Sequence, residues 1–325
     1  MFRLTQHLKD ALTDTPARRH GTLMGPVVIW NLVRRCNLTC RHCYAISGDV
    51  DFPNELTTAQ AKAVIDDLHA FGCRILILSG GEPLMRHDIF ELTEHAKAKG
   101  FFLTLSTNGT LIDAPMADRI AAMGYDYVGI SIDGIEAVHD AFRRMPGAYR
   151  LSMNALRLLR DRGVKVGLRF TMTAENAHQL PELLAITRAD CFPKFYLSHL
   201  VYAGRGNKNR ATDTDWTVTR AAIDMLIATA VETIEAGESF EIVTGNNDAD
   251  AVHLLHWIER HRPESAKRLA ASLRAWGGNA SGINVANIDN EGRVHPDSMW
   301  WHHTIGNVKT EPFSSIWANT TDPLM

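Results

Sequence analysis

The chain has 325 residues, of which 45% are hydrophobic and 22% are charged, and its net charge at pH 7 is −3. This composition is typical of a globular protein with one large domain or two smaller ones, and the charge gives no bulk attraction to nucleic acid. The N-terminal sequence lacks the apolar core of a signal peptide, and no apolar run approaches the roughly 20 residues that a membrane span needs. We therefore expect a cytoplasmic protein without nucleic-acid or membrane partners.

Residues 1–24 are expected to form an N-terminal extension across the fold, with a solvated basic patch at Arg18, Arg19 and His20. Beyond this extension, six short apolar runs predict strands, and they cover residues 27–32, 74–79, 101–106, 127–132, 164–172 and 194–200.

Predicted helices separate these strands. The first begins at a Thr57 N-cap and ends at Gly72, and the others cover about residues 88–99, 114–123, 148–162 and 179–188. Alternating strands and helices favour parallel pairing with right-handed crossovers. Six such units are too few for a closed eight-stranded barrel. We therefore predict an α/β fold for residues 25–205, a partial (β/α)6 TIM-like barrel that is open on one side.

The pattern changes after residue 205. Residues 204–207 predict a turn, and long helices are predicted over about 214–237 and 248–275, which gives a helical segment at 206–277. Residues 283–288 and 292–295 predict a β-hairpin that turns through residues 289–292. This hairpin begins the C-terminal region at 278–325.

Three cysteines, Cys36, Cys40 and Cys43, lie within eight residues of one another directly after the first predicted strand. Iron–sulfur clusters are held by Cys thiolates, usually four for a cubane, so three thiolates from one loop leave one iron open to another ligand. An open coordination position is typical of reactive metal sites. A structural zinc site completed by His42 or Cys73 is the alternative at this point. Clustered cysteines favour a reducing compartment over a disulfide framework.

Small and polar residues follow the next three predicted strands. The sequence Gly-Gly-Glu-Pro at 80–83 follows the second strand, and its glycines allow a ligand to approach the backbone closely, while Glu82 offers a carboxylate. Ser106 and Asn108 follow the third strand, and Ser131 and Asp133 follow the fourth. Small polar side chains at strand ends suit sugar hydroxyls, although each motif alone is also found in ordinary turns and caps.

The order of these features resembles the radical S-adenosylmethionine (SAM) superfamily, whose loop is C-x3-C-x-aromatic-C. Here His42 fills the aromatic position and Tyr44 follows the last cysteine. The resemblance implies a [4Fe–4S] cluster on Cys36, Cys40 and Cys43 as the catalytic centre, with SAM on the fourth iron. It also implies reductive cleavage of SAM to a 5′-deoxyadenosyl radical that abstracts a hydrogen atom from the substrate. A reductase, flavodoxin or ferredoxin would supply the electron.

The same resemblance implies contacts between SAM and the strand ends. Glu82 would receive the amino group of SAM, Asn108 and Ser131 would contact the ribose, and Arg143 or Arg144, in a polar loop, would pair with the carboxylate. The residues that we predict to contact SAM are His42, Tyr44, Gly80, Gly81, Glu82, Pro83, Ser106, Asn108, Ser131, Asp133, Arg143 and Arg169.

The C-terminal part resembles the NirJ family of haem d1 biosynthesis enzymes within the superfamily. The segments that carry this resemblance are 279–282 (NASG), 286–289 (ANID), 292–297 (GRVHPD), 306–308 (GNV) and 312–317 (PFSSIW). The resemblance implies a SPASM/twitch-like start at the hairpin and a tetrapyrrole substrate, 12,18-didecarboxysiroheme, from which two propionate chains are removed.

A tetrapyrrole would need apolar surface and partners for its carboxylates and iron. We predict substrate contacts at His199, Tyr202, Arg205 and His295. We also expect that a histidine among His199, His295, His302 and His303 contacts the tetrapyrrole, and it could bind the iron.

The chain departs from the family in two ways. The family is expected to carry an auxiliary iron–sulfur cluster, but residues 295–300 contain no cysteine, and the ligands of such a cluster are not in this chain. Its last residues do not resemble a natural ending, so we expect a truncated chain. Cys73 and Cys191 are interpreted as buried structural thiols.

Three other interpretations of function stay open from the sequence. The first is a related siroheme-dependent enzyme of alternative haem biosynthesis. The second is a radical SAM peptide maturase that shares the hairpin. The third, from a different class, is a zinc-stabilised binding module without catalytic activity.

Overall fold

The computed structural model describes residues 1–13 and 25–325. Its strands are β1 (Val27–Asn31), β2 (Ile75–Ser79), β3 (Phe102–Thr107), β4 (Tyr127–Ser131), β5 (Val166–Met172), β6 (Lys194–His199), β7 (Glu241–Gly245), β8 (Val285–Ile288), β9 (Arg293–His295) and β10 (Gly306–Asn307). They form a sheet in the order β10-β9-β8-β1-β2-β3-β4-β5-β6-β7.

The α-helices of the described residues surround this sheet. They are α1 (Leu4–Leu12), α2 (Thr58–Ala70), α3 (Ile89–Ala98), α4 (Ala114–Ala122), α5 (Ala137–Arg143), α6 (Ala148–Asp161), α7 (Leu180–Ala189), α8 (Gly204–Lys208), α9 (Trp216–Glu235), α10 (Ala249–His261), α11 (Pro263–Trp276) and α12 (Phe313–Asn319). Short 3-10 helices cover Pro83–Met85, Ala177–Gln179 and Arg210–Thr212.

The sheet is an open, mainly parallel array. Strands β8 and β1 to β7 pair in parallel, while β9 and β10 continue the sheet beyond β8 with antiparallel pairing. Among the described residues, no pairing joins β7 to β8, so the sheet does not close. The predicted open α/β barrel is therefore confirmed, and all six predicted strands are present.

The buried strands explain the apolar runs of the sequence. Val28, Leu76 and Leu103 stand side by side on β1, β2 and β3, and each is fully buried. Strands covered on both faces are typically rich in Val, Ile and Leu. The crossover helices cover the outer face of the sheet with apolar stripes, such as Ala61, Val64, Ile65 and Leu68 of α2.

Local sequence signals set the helix boundaries. Helix α2 begins with a capping box, in which the Thr57 hydroxyl accepts from the Gln60 amide and the Gln60 side chain accepts from the Thr57 amide. The segment predicted as one helix at 248–275 is two helices, because Pro263 starts a new helix where its missing N–H is tolerated. No helix within the described ranges is long and apolar enough to cross a bilayer.

Three further features differ from the sequence predictions. Residues 206–277 include strand β7, which was not predicted. The predicted turn at 204–207 is the first part of the short helix α8, and Arg143 is the last residue of α5 and does not lie in a polar loop. These differences matter because Arg143 lines the site, α8 supports the cysteine loop, and Asn246, which directly follows β7, lines the site.

The N-terminal residues pack on the far edge of the sheet. Phe2, Leu4 and Leu8 are buried, and the backbone of Phe2 bonds that of Thr244 on β7 in both directions, over 2.7 and 2.8 Å. Helix α1 also contacts α9 and α11. The basic patch predicted at residues 18–20 lies outside the described residues.

The predicted C-terminal hairpin is confirmed as β8 and β9, and it joins the sheet beside β1. Asn287 Nδ2 donates to Ile29 O over 2.6 Å and to Asn31 Oδ1 over 2.7 Å. As a result, β1, which leads into the cysteine loop, is an interior strand with a neighbour on each side.

Candidate active site

A cavity lies at the carboxyl ends of the parallel strands, the usual position of ligand sites in open α/β sheets. Its volume is about 1030 Å3, including the part that is open to solvent. The residues around it are Cys36, Leu38, Cys40, His42, Cys43, Tyr44, Ser47, Ser79, Gly80, Gly81, Ser106, Thr107, Asn108, Ser131, Arg143, Arg169, Phe170, Thr171, Tyr196, Ser198, His199, Val201, Asn246 and Met299.

The three clustered cysteines all line this cavity, and each sulfur accepts an N–H donor. Leu38 N donates to Cys36 Sγ over 3.4 Å, Ser47 N donates to Cys43 Sγ over 3.5 Å, and the Arg143 guanidinium donates to Cys40 Sγ over 3.5 Å. Such donors stabilise thiolate character. In the free protein, burial raises the pKa of the Cys36 thiol to about 12, so an electropositive partner is needed to remove its proton.

The loop is held in place by α8, which packs beneath it. Arg205 N donates to Cys43 O over 2.9 Å, and its guanidinium donates to Cys40 O over 2.7 Å and to Ser47 O over 2.8 Å. Asn209 Nδ2 donates to Arg41 O over 2.9 Å. Arg205, predicted as a substrate contact, is thus engaged with the loop backbone and does not line the cavity.

The glycines at 80 and 81 bring the end of β2 against the segment that enters the cysteine loop. Gly81 N donates to Val33 O over 2.6 Å, and Glu82 N donates to Arg35 O over 2.9 Å. A Cβ atom on Gly81 would lie 2.3 Å from Arg35 O, a separation that real Cβ atoms do not adopt. Glycine is therefore required for this close approach, which places both backbones along the cavity wall.

Glu82 itself is fully buried and does not line the cavity. Its carboxylate accepts hydrogen bonds from Thr107 Oγ1 over 2.7 Å, from Asn108 N over 2.8 Å and from Leu84 N over 3.2 Å. Burial raises the pKa of Glu82 to about 7, although these donors lower it in part. The side chain thus ties the end of β2 to the end of β3, and its contact with SAM stays a prediction.

The polar residues at the strand ends are divided between the cavity and the protein interior. Ser106, Asn108 and Ser131 line the cavity, whereas Pro83 and Asp133 do not. Asn108 also reaches the cysteine loop, because its Nδ2 donates to Asn37 Oδ1 over 2.9 Å and lies 3.9 Å from Cys36 Sγ.

Arg143 and Asp133 form a buried ion pair behind the loop. The Asp133 carboxylate also accepts from Thr171 N over 2.7 Å and lies 4.0 Å from His42 Nε2. Burial alone would raise the pKa of Asp133, but the Arg143 guanidinium holds it below its usual value. Burial lowers the pKa of His42 to about 4, so its ring is neutral at pH 7, and it packs on Phe142 at 4.8 Å between centroids.

Arg169 extends from β5 along the cavity wall. Its guanidinium donates to Ser106 Oγ and lies 5.1 Å from the centroid of the Tyr196 ring. Gly129 leaves room for it, because a Cβ there would lie 2.7 Å from Arg169 Cδ. In the described part of the chain no carboxylate pairs with this guanidinium, so Arg169 is available to an anionic ligand.

Tyr44 connects the loop to the C-terminal region. Its hydroxyl accepts from Asn31 Nδ2 over 2.8 Å, and its ring meets Trp301 edge-on at 6.1 Å. Asn31 in turn bonds Asn287 of β8. A network of amides and rings therefore joins the C-terminal hairpin to the residue next to Cys43.

Comparison with known proteins gives these features a family. The Radical SAM superfamily model matches residues 30–185. The chain is 54% identical over 327 residues to the pre-heme d1 synthase of Dinoroseobacter shibae, covering 100% of this chain and 81% of that protein. It is 41% identical to the Fe-coproporphyrin III synthase of Methanosarcina barkeri, covering 92% and 75%. The chain belongs to the radical SAM superfamily.

A solved structure shows the same fold. The crystal structure of Streptococcus suis SuiB bound to S-adenosylmethionine matches with a TM-score of 0.72 and 14% identity, covering 92% of this radical SAM chain and 66% of the SuiB chain. The chain therefore spans just under two thirds of SuiB. The expected superfamily fold is confirmed, and the alternative of a non-catalytic zinc module is rejected.

The residues present fit the cofactors that the superfamily implies. All three thiols line the same cavity, each with an N–H donor, and the backbone of Gly80 and Gly81 lines it as well, where a ligand can approach. In the described ranges no group of three or more Cys, His, Asp or Glu side chains is arranged so that it could hold a single metal ion. All five cysteines are free. Cys73 is buried as predicted, but Cys191 is exposed, contrary to prediction.

Of the residues predicted to contact substrate in this radical SAM enzyme, His199 alone lines the cavity. Tyr202 is 56% exposed and donates to Asp213 over 2.6 Å. His295 is buried, with its ring nitrogens directed to His303 O and to Asp289. Substrate contacts at these positions stay predictions.

Several cavity residues were missed from the sequence. Tyr196 and Ser198 face the cavity at alternate positions of β6, and this period-2 pattern was the signal available for them. Asn246 directly follows β7, the strand that was not predicted, and has a positive φ of 69°. Met299 comes from the segment after β9 and had no sequence signal.

Proposed function

We propose that this chain is a radical SAM enzyme of haem d1 biosynthesis that initiates removal of propionate side chains from 12,18-didecarboxysiroheme. The observation that carries the proposal is its 54% identity, over its whole length, to a pre-heme d1 synthase. The cavity lined by the three cysteines is open to solvent on one side, which leaves an entrance for a substrate.

The residues around the cavity suit the proposed division of roles. Cys36, Cys40 and Cys43 would hold the cluster, and the backbone at Gly80 and Gly81 would lie beside SAM. When bound, the cluster and SAM supply a one-electron reduction that yields methionine and a 5′-deoxyadenosyl radical. The protein residues orient the substrate and keep water from the radical.

The unpaired Arg169 guanidinium supports binding of an anionic ligand in this cavity. A carboxylate is the partner that a guanidinium binds best, through two parallel hydrogen bonds. Arg143 is less available for such a role, because its guanidinium already forms an ion pair with Asp133 and donates to Cys40 Sγ. We therefore assign Arg169 to a carboxylate of SAM or of the substrate, in agreement with its predicted place in the site.

The electron in this proposal comes from a reductase, flavodoxin or ferredoxin in the cytoplasm. An auxiliary iron–sulfur cluster is also part of the proposal, with ligands outside this chain. The 41% identity to an Fe-coproporphyrin III synthase favours one second candidate. That candidate is a related enzyme of alternative haem biosynthesis, which would form Fe-coproporphyrin III.

The proposal is tested by anaerobic reconstitution followed by reaction with SAM, a reductant and didecarboxysiroheme. We expect about four irons for the [4Fe–4S] site, formation of 5′-deoxyadenosine, and loss of propionate mass from the tetrapyrrole. Cys40→Ala should abolish all three, whereas Cys191→Ala, which removes an exposed thiol outside the cavity, should change none. Formation of Fe-coproporphyrin III in place of the product that lacks two propionates would favour the second candidate. A failure to convert didecarboxysiroheme would overturn the proposal.

A further inference from the structure

His199 and Asp250 form a pair on the side of the cavity formed by β6 and the start of α10. His199 is the last residue of β6, lines the cavity and is 8% exposed. Its Nε2 lies 3.1 and 2.9 Å from the two carboxylate oxygens of Asp250. Asp250 is 2% exposed and lies in the first turn of α10.

The surroundings of this pair fix the tautomer of the imidazole. In the described part of the chain, His199 is the hydrogen-bond donor to the Asp250 carboxylate. A buried carboxylate requires a donor, so the tautomer that suits this pair carries its proton on Nε2. The lone pair is then on Nδ1, which has no hydrogen-bond partner among the described residues and is not an enclosed atom.

A neutral imidazole in this state is a metal ligand. Histidines that bind metals almost always donate their second ring N–H to a carboxylate, a carbonyl or water, which fixes the ring and raises its basicity. Either ring nitrogen can act as the ligand, and histidine is the usual axial ligand of haem iron. The pair therefore has the donor, the orienting carboxylate and the access to the cavity that an iron ligand needs.

The other histidines of the C-terminal region do not have these properties. His295 is fully buried with both nitrogens engaged, and His303 Nε2 pairs with Asp322 over 3.0 Å. His302 is exposed and packs against Trp300. The structure thus distinguishes His199 from the other three histidines that the sequence left as equal candidates.

We infer that His199 Nδ1 binds the iron of the tetrapyrrole substrate as an axial ligand and that Asp250 holds the ring for this purpose. This inference rests on the proposed function. It gives the site a preference for an iron tetrapyrrole over the same ring without metal. Iron insertion must then precede this reaction.

The test compares two probes that differ only in the metal, didecarboxysiroheme and metal-free didecarboxysirohydrochlorin. Both are titrated anaerobically into the reconstituted protein, and the absorption and electron paramagnetic resonance spectra of the iron are recorded. The wild-type protein should bind the iron form about 10–100-fold more tightly than the metal-free form. Loss of a group that orients a metal ligand typically lowers metal affinity by about the same factor. His199→Ala should reduce this preference to about one, and Asp250→Asn should reduce it in part.

A variant and a control keep the test independent of folding. His199→Gly should regain the spectrum of the wild-type complex when imidazole is added, with the tetrapyrrole still bound to the protein after gel filtration, because imidazole also binds free iron tetrapyrroles. His253 forms the same kind of pair, with Nε2 2.7 Å from Asp224, but does not line the cavity, so His253→Ala should keep the full preference.

Two outcomes would overturn the inference in distinguishable ways. Equal affinity of the wild-type protein for both probes, with iron spectra unchanged in His199→Ala, would show that His199 does not bind the iron. The proposed function would not be affected by this result. If neither probe binds the wild-type protein, the proposed function fails, and the inference fails with it.

Discussion

Arg143 donates a hydrogen bond to Cys40 Sγ over 3.5 Å, and the same guanidinium forms an ion pair with Asp133. Both side chains are buried, at 8% and 0% exposure. One positive and one negative charge are therefore fixed beside a sulfur that is expected to bind iron. Because net charge and hydrogen bonds to sulfur set the potential of iron–sulfur clusters, this pair should control how easily the cluster is reduced.

We expect Arg143→Gln to make the midpoint potential of the reconstituted cluster more negative, because it removes a positive charge and a donor to sulfur. Asp133→Asn should shift the potential in the opposite direction. Each shift should be on the order of 60 mV, which for a one-electron couple corresponds to a tenfold change in equilibrium constant. Potentiometric titration followed by electron paramagnetic resonance measures both.

The matched control for this pair is Arg86, which forms a similar buried ion pair with Asp88 at 2.6 Å but does not contact a cysteine. Arg86→Gln should leave the potential unchanged in protein that retains its cluster. Equal shifts in Arg86→Gln and Arg143→Gln would show that contact with Cys40 is not the cause.

Gly81→Ala should prevent retention of the cluster. The new Cβ would lie 2.3 Å from Arg35 O and 2.5 Å from Arg34 O, and these are backbone atoms that cannot move without displacing the cysteine loop. Iron and sulfide content after reconstitution measures the effect. Gly48→Ala is the control, since Gly48 is next to the same loop and has no atom within 4 Å of a Cβ position. A full cluster in Gly81→Ala would contradict the required close approach.

Glu82 should make stability depend on pH. Its pKa is raised from 4.5 to about 7 by burial, so its ionisation destabilises the folded state as pH rises from about 4.5 to about 7, and the cost is complete above that. At about 1.4 kcal/mol per pKa unit, Glu82→Gln should gain about 3 kcal/mol relative to wild type over this range. Altered hydrogen bonds in Glu82→Gln would lower the free energy of unfolding equally at every pH, so they would not change the pH dependence.

Chemical unfolding of the SAM-free protein between pH 5 and 8 measures this difference for Glu82. A stability difference between wild type and Glu82→Gln that stays constant with pH would contradict a raised pKa. A difference that moves in favour of the wild type as pH rises would mean that the pKa is lowered instead.

Arg205→Ala should loosen the cysteine loop. The guanidinium donates to Cys40 O and Ser47 O, and hydrogen bonds from charged groups contribute about 1.5–3 kcal/mol each. We expect faster loss of iron to a chelator and a lower free energy of unfolding. Tyr202→Phe, which removes an exposed hydroxyl three residues away, is the control. Unchanged iron release in Arg205→Ala would show that the loop does not depend on this residue.

The parts of the fold with regular periodicity could be predicted from the sequence. Each strand from β1 to β6 lies in an apolar run of the sequence, and the cysteine loop follows the first of them. Strand β7 could not be predicted in the same way, because Glu241–Gly245 is a five-residue run between two helical patterns. The position of β8 beside β1 depends on sheet order, about which hydrophobic periodicity carries no information.

The same distinction applies to the site. The cysteines and Gly80–Gly81 are contiguous motifs, and the structure places all of them on the cavity. The pairs His199–Asp250 and Asp133–Arg143 join residues 51 and 10 positions apart, and no local pattern connects them. Glu82 was predicted from its motif to reach a ligand, but burial and three donors from its own chain were visible only in three dimensions.

The interior position of β1 has a consequence for how the enzyme matures. The strand that leads into the cysteine loop gains its second neighbour when residues 285–288 arrive, and the Asn31 amide that bonds Tyr44 is anchored by Asn287. During synthesis, about nine tenths of the described chain must leave the ribosome before β8 can pair with β1 and Asn287 can bond Asn31. We therefore expect cluster insertion to wait until residues 285–288 have left the ribosome and paired with β1.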